Sequence, residues 1–211
     1  MVVALSLLVP ACGALPEGGG SLGGASPPPT GSLSVSFIDV GQGDGVLVQA
    51  GGTSHLIDAG RPEEGANVVD FLRSRGVEEL DGIVVSNPDA DHIGGFLDVL
   101  DAFEVEHVYV SGDDKGTLTY NSFVRAVGDE GSEVKMVRTG VRMDWGGVRT
   151  DVIGPPTDAE GGLFPETNDN SVAILLTYGS ARVLLAGDAE AKEEEYMAGG
   201  LYTGPLTVIR V

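Results

Sequence analysis

The chain has 211 residues, of which 42% are hydrophobic, and this allows a single domain with a substantial core. Its 12 Lys and Arg against 32 Asp and Glu give a formal net charge of -20. Such a charge opposes binding to nucleic acid or to anionic lipid unless a basic patch or bound cations reverse the local field. The single cysteine, Cys12, excludes an intramolecular disulfide and a cysteine-based metal site.

The first twelve residues are apolar except for Ser6 and are too short to cross a membrane as a helix, which needs about 20 apolar residues. The stretch Leu8 to Gly13 is similar to a bacterial lipoprotein cleavage site, in which Cys12 becomes the lipidated residue, although no Lys or Arg precedes it. We therefore predict an export signal over 1–12 and an extracytoplasmic protein, either membrane-anchored through Cys12 or secreted. A disordered apolar leader is the alternative. Residues 13–32 are rich in Gly, Ser and Pro and predict a flexible linker.

From Leu33 onward, strand and helix patterns alternate in a way that predicts one mixed α/β domain over 33–211. Strand pairs interspersed with single helices indicate two sheets flanked by helices. Strands are predicted at 35–40, 46–48, 55–58, 83–85, 105–110, 134–137, 148–153, 172–176 and 183–186, and helices at 66–75, near 96–100, at 120–127 and at 189–197.

Between the buried strand 83–85 and the following helix lies a loop with two carboxylates and an imidazole within four residues: Asp89, Asp91 and His92. Hard oxygen ligands with one imidazole suit a divalent cation. Asp188 also follows a buried strand, so two carboxylate sites distant in sequence occupy similar positions, as a shared cation would require. The alternative is that Asp89 or Asp91 caps the helix that starts near Ile93.

Several segments resemble one known family. The loop from Asn87 to Gly95 is similar to the His-x-His-x-Asp-His metal loop of the metallo-β-lactamase superfamily. Four further segments resemble the hydrolase domain of ComEC-type competence proteins, in the family's order: FIDVGQGD at 37–44, LIDAG at 56–60, NDNS at 168–171 and LLAGDAE at 184–190. The resemblance implies the four-layer αββα sandwich of that superfamily.

The resemblance also implies a metal site and its ligands. Asp89, Asp91, His92 and Asp188 would bind up to two zinc or manganese ions, with Asp91 and His92 as catalytic residues and Asp188 as the bridge between the ions. Asp58, at a strand end near the loop, would orient a ligand. The implied activity is metal-assisted hydrolysis of a phosphodiester such as extracellular DNA, as in DNA uptake by competent cells.

Two ligands of the family pattern have no counterpart here. Asn87 occupies the position of the first histidine, and the chain ends at Val211, about where a loop with the last histidine is expected. We therefore expect a free-standing, C-terminally truncated relative with an incomplete sandwich. A second hypothesis is a catalytically silent binding or scaffold module of the same fold, displayed at the cell surface. A β-lactamase-like amide hydrolase is disfavoured, because segments 41–44 and 168–171 indicate the other branch.

Three further polar groups are interpreted as structural. His55 is predicted to face solvent from its strand, and His107 to be a strand residue without a ligand role. Glu190 and residues 193–195 are predicted to supply the solvated face and first-turn charges of the last helix.

Overall fold

The computed structural model describes residues 5–10, 31–156, 162–198 and 205–210, with only the backbone described at 5–10 and 208–210. Cys12 and nearly all of the 13–32 linker lie outside this range, so lipidation and the linker stay predictions. Residues Leu5–Pro10, inside the expected leader, form a strand. Within the described residues, no helix has both the length and the apolar character needed to cross a membrane.

The larger sheet has seven strands, arranged in the sheet in the same order as in the chain. Neighbours are antiparallel from β1 to β4 and parallel from β4 to β7. The parallel half places the carboxyl ends of β4, β5 and β6 at one edge, where ligands commonly bind in such sheets. The strands are β1 (Leu5–Pro10), β2 (Ser32–Phe37), β3 (Gly45–Ala50), β4 (Thr53–Ala59), β5 (Gly82–Val84), β6 (His107–Val110) and β7 (Glu133–Met136).

The smaller sheet has five strands in the order β12-β11-β10-β9-β8, all antiparallel except the β11–β12 pair. Strand β8 is not among the strands predicted from the sequence, and two of its four residues, Arg142 and Asp144, are charged. The strands are β8 (Arg142–Trp145), β9 (Val148–Val152), β10 (Ile174–Tyr178), β11 (Ala181–Leu185) and β12 (Val208–Arg210).

Helices cover the outer faces of both sheets, which confirms the predicted αββα arrangement. Apolar residues of α1, α3 and α4 pack on the larger sheet, and Met197, directly after α5, packs with Leu175 and Leu184 on the smaller one. The α-helices are α1 (Gly65–Ser74), α2 (Ala90–Ile93), α3 (Phe96–Ala102), α4 (Leu118–Glu130) and α5 (Ala191–Tyr196), with short 3-10 helices at Pro62–Glu64 and Thr167–Asn170.

The cores follow from the two-residue period of the strands. In β3, Val46 and Val48 face the smaller sheet, while Leu47 faces the helices. In β10, Ile174 faces the larger sheet and Leu175 faces α5. Each central strand therefore contributes to two apolar layers, and this fixes its register because a one-residue slip would exchange them.

His55 is buried rather than exposed, so the prediction that it faces solvent is wrong. Its ring stacks on Trp145, with ring centroids 4.0 Å apart. Burial, and to a smaller extent His107, lowers the pKa of His55 to about 3. His55 shares the inward face of β4 with Ile57, and the neutral ring serves as a core side chain between the two sheets.

Candidate metal centre

Of the predicted site residues, Asp58, His92 and Asp188 come into contact where the two sheets come together, while Asp91 contacts Gln42 and Asp89 contacts Lys115. Asp58 lies near the end of β4, the loop with Asp89, Asp91 and His92 follows β5, and Asp188 follows β11 of the other sheet. Gly187 allows the last of these segments to approach closely. It has a φ of +58°, and a Cβ there would lie 2.7 Å from the Cβ of Ser86.

Asp58 is fully buried and contacts both Ser86 and His92. Its Oδ1 accepts a hydrogen bond of 2.8 Å from the backbone N–H of Ser86, and its Oδ2 accepts one of 2.5 Å from Ser86 Oγ. His92 Nδ1 lies 2.9 Å from the same Oδ2. The backbone of Asp58 is left-handed, with a φ of +54°. Strain of this kind costs about 1–3 kcal/mol and persists where surrounding contacts enforce it.

His92 presents its second ring nitrogen to Asp188. The side chain is fully buried, and Nε2 lies 3.1 Å from Asp188 Oδ2, at ion-pair distance, without forming a hydrogen bond in the described structure. Burial lowers the pKa of His92, but the carboxylates of Asp58 and Asp188 outweigh it and raise the pKa to about 11. A cation bound at Nε2 would have to displace this proton.

Asp91 is held by the loop that follows β2. Its Oδ2 accepts a hydrogen bond of 3.0 Å from Gln42 Nε2. The next residue, Gly43, has a φ of +94°, and a Cβ at this position would overlap the backbone carbonyl of Asp91. The 41–44 segment and the metal loop are therefore closely packed against each other.

Asp89 is at the N-cap position of α2, but its side chain makes no capping hydrogen bond. Its Oδ1 is paired with Lys115 Nζ, from the loop that precedes α4. Asn87 is 1% exposed and accepts a hydrogen bond of 2.9 Å from the backbone N–H of Asp89. Its Nδ2 has no partner among the described residues. For Asp89, the capping interpretation is therefore wrong.

The segment Thr167–Asn170 forms the far wall of the site. Asn168 Nδ2 donates a hydrogen bond of 2.9 Å to Glu190 Oε1, and Asn170 Nδ2 donates one of 3.1 Å to Asp113 Oδ2. These bonds join the loops that carry Asp188 and Lys115. The cavity enclosed between them has a volume of about 240 Å³ and is lined by Asp89, Lys115, Glu166, Thr167, Asn168 and Glu190.

Glu193 is fully buried, so its interpretation as a solvated residue is wrong. Its Oε2 accepts a hydrogen bond of 3.1 Å from the backbone N–H of Ser171, while Oε1 has no partner among the described residues. Burial, supported by the nearby charge of Asp169 and opposed by the Ser171 N–H, raises the pKa of Glu193 to about 9. A neutral carboxyl therefore ties α5 to the wall of the site.

We expect Glu193→Gln to be more stable than the wild type at alkaline pH. Because the pKa of Glu193 is raised to about 9 in the folded chain, the folded state retains a proton that the unfolded state has released. Wild-type stability from this group therefore falls as the pH rises from about 4.5 to about 9. The stability of Glu193→Gln does not change with pH in this way. Near pH 8 its free energy of unfolding should therefore exceed that of the wild type by about 1–2 kcal/mol.

Urea denaturation near pH 5 and near pH 8 measures this effect. Glu194→Gln removes the neighbouring, exposed carboxylate and serves as the matched control. Equal pH slopes for the wild type and Glu193→Gln would contradict the assignment of a neutral buried carboxyl.

A divalent cation fits the donors that are present. Ligand atoms of Asp44, Asp58 and His92 lie within 4.8 Å of one another and form a candidate metal-binding group. However, Ser86 and His92 already occupy both oxygens of Asp58, so its geometry favours orienting the imidazole over binding a cation directly. The buried Nε2 of His92, which faces the carboxylate of Asp188, is the nitrogen available to bind such a cation once its proton is displaced.

Comparison with known proteins agrees with this architecture. The pattern of the metallo-beta-lactamase superfamily matches residues 38–210. The chain belongs to the metallo-β-lactamase superfamily. Among solved structures of this superfamily, the chain is similar to the MIM-2 metallo-beta-lactamase, with a TM-score of 0.52, 14% identity and coverage of 79% of this chain and 67% of the other. A HARLDQ-motif mutant metallo-beta-lactamase from Cronobacter sakazakii has a TM-score of 0.50, 16% identity and coverage of 71% and 58%. These structures show the fold alone.

The sequence relatives confirm the ComEC-like type of this metallo-β-lactamase domain. Recombination protein 2 of Haemophilus influenzae is 30% identical over 183 residues, covering 84% of this chain and 21% of the relative. Competence protein ComA of Neisseria gonorrhoeae is 27% identical, with coverage of 81% and 22%. ComE operon protein 3 of Bacillus subtilis is 25% identical, with coverage of 76% and 23%. The chain spans about a fifth of the length of these relatives.

Sequence reasoning placed Asp58, Asp89, Asp91, His92 and Asp188 in one candidate site but gave no sign of Lys115. No local pattern marks this lysine, because its partner Asp89 lies 26 residues earlier and in a different loop.

Proposed function

We propose that this domain is a metal-dependent phosphodiesterase that cleaves nucleic-acid-like substrates. The observation that carries the proposal is the chain of contacts from buried Asp58 through buried His92 to the more exposed Asp188, which holds an imidazole nitrogen against a carboxylate at the mouth of the site. A competence protein and a recombination protein among the relatives support a nucleic-acid substrate. The names of the same relatives support a role in DNA uptake at the cell envelope, where Cys12 would anchor the chain.

Each residue has a defined task in this proposal. Asp91, His92 and Asp188 hold the cation, with Asp89 beside them, and a bound divalent ion supplies Lewis acidity toward a phosphoryl oxygen and lowers the pKa of water. Asp58 fixes the ring of His92 so that Nε2 stays directed at the site. Asn168 and Glu190 line the cavity on the opposite side of the site. Zinc and manganese both suit this mixture of carboxylates and imidazole.

The acidic surface bears on substrate binding. With a net charge of -20, the chain repels a polyanion at long range, so a substrate has to be held locally by the cation. We therefore expect short phosphodiesters to be bound at least as readily as duplex DNA.

Hydrolysis of bis(p-nitrophenyl) phosphate by the full chain tests the proposal. We expect turnover that depends on added zinc or manganese, that is abolished by a chelator and that is restored by the metal. Asp91→Asn should lose the activity, because the amide keeps the shape of the side chain but not the charge that binds a cation. Metal-loaded protein whose turnover does not exceed that of Asp91→Asn would overturn the proposal.

A second candidate, a catalytically silent binding module, is favoured by two observations. Asn87 replaces an imidazole ligand, and Asp89 is neutralised by Lys115. In such a module, the same assay would give no turnover although metal is bound.

A further inference from the structure

Lys115 forms an ion pair with Asp89, at one side of the candidate metal centre. Its ammonium is paired with Asp89 Oδ1, and both side chains are partly shielded, with exposures of 36% for Lys115 and 25% for Asp89. Of the six residues that line the 240 Å³ cavity, Lys115 is the only cation. The carboxylate of Asp89 is therefore already paired with a positive charge.

The loop that carries Lys115 is fixed on both sides of it. Asp113 accepts a hydrogen bond of 3.1 Å from Asn170, and Asp114 Oδ1 accepts one of 2.8 Å from the backbone N–H of Gly116. Immediately afterwards, Thr117 caps α4 by accepting a 3.2 Å hydrogen bond from the N–H of Tyr120. The lysine is thus held over Asp89 by a short, tethered loop.

The Asp89 side of the centre also lacks an imidazole. Asn87 carries no charge, its Oδ1 is engaged by the N–H of Asp89, and its Nδ2 is a buried donor. A cation placed here would meet an ammonium group and an N–H donor, which both repel it. On the other side, Asp91 accepts a hydrogen bond from the neutral amide of Gln42, and the ring of His92 lies between the carboxylates of Asp58 and Asp188.

We infer that Lys115 is a built-in cation that takes the place of one metal ion at Asp89, so that the centre binds one divalent ion rather than two. The inference rests on the proposed metal site and deepens it. Lysine neutralises Asp89 and supplies a fixed positive charge where a two-metal centre would use the second ion. Lys115 thus acts through Asp89, whose negative charge it balances, rather than by touching a substrate.

Metal stoichiometry tests the inference independently of activity. In equilibrium dialysis of the full chain against zinc or manganese, followed by elemental analysis, the wild type should bind one equivalent. Lys115→Met should gain a second, weaker equivalent, because Asp89 is released to bind a cation. Lys115→Arg keeps the charge and should stay at one. Lys135→Met, which removes a lysine that pairs with Glu133 far from the site, is the matched control.

The outcomes separate this inference from the proposed function. No metal on any variant contradicts the proposed function and the inference together. Two equivalents on the wild type, or one equivalent on both the wild type and Lys115→Met, overturns the inference alone. A raised KM for the phosphodiester in Lys115→Met with an unchanged metal count would assign Lys115 to substrate binding and would also overturn it.

Discussion

Asp188→Ala is expected to weaken divalent-metal binding by about 100-fold or more and to reduce phosphodiester hydrolysis by a similar factor. Loss of a group that only orients a ligand typically costs 10–100-fold in affinity, and loss of the carboxylate facing His92 Nε2 should cost at least as much. The fold should survive, because the side chain is 43% exposed and its replacement should change stability by about 1 kcal/mol or less.

Metal titration by calorimetry and urea denaturation measure the two effects separately. Asp101→Ala removes an exposed carboxylate on α3 and serves as the control, with no expected change in either. Metal affinity of Asp188→Ala equal to that of the wild type would mean that the cation, if bound, lies elsewhere.

Gly43→Ala is expected to destabilise the fold by about 3 kcal/mol or more. The backbone there has a φ of +94°, which an L side chain rarely adopts, and the added Cβ would overlap the carbonyl of Asp91. The loop must move away, which separates Gln42 from Asp91 and lowers metal affinity as well. Gly52→Ala is an unusually close control, because Gly52 has the same φ of +94° but no atom within 4 Å of its Cβ position.

Chemical denaturation of the two alanine variants distinguishes backbone strain from close packing. Gly52→Ala should be destabilised only by the strained φ, by about 1 kcal/mol. If both variants lose the same stability, the close approach of the 41–44 segment to the metal loop contributes nothing measurable.

The layered fold was predictable because the alternation of apolar residues in each strand is visible in the sequence. Alternation in segments such as 46–48 determines which side chain faces the other sheet, and Gly-rich turns set the order of hairpins. His55 could have been predicted as buried from the same alternation, since it shares a face with Ile57. What outweighed this signal was the general preference of histidine for partial exposure.

Other features depend on tertiary placement and left no local signal. Three consecutive glutamates begin at Glu193, and only the position of α5 on the smaller sheet decides which of them is buried. The pair of Lys115 with Asp89 joins two loops whose approach is set by the packing of α4. Strand β1 lies in a run whose apolar character equally suits a leader.

The residues of the candidate site were predictable where they lie together in one loop or at a strand end. Contacts between different loops of the site were not predictable. Asp91 and His92 stand in a recognisable motif, and Asp58 and Asp188 stand at strand ends. By contrast, the effect of Asn87 depends on its hydrogen bond to Asp89 and on the neighbouring lysine, which are properties of the assembled site.

The most direct test of the account is the metal content of the full chain, purified without chelators, dialysed against zinc or manganese and measured by elemental analysis. The account predicts one tightly bound equivalent that is lost when His92 is replaced by alanine. A chain that retains no metal under these conditions, while its fold is intact by circular dichroism, would contradict the claim that Asp91, His92 and Asp188 hold a divalent cation.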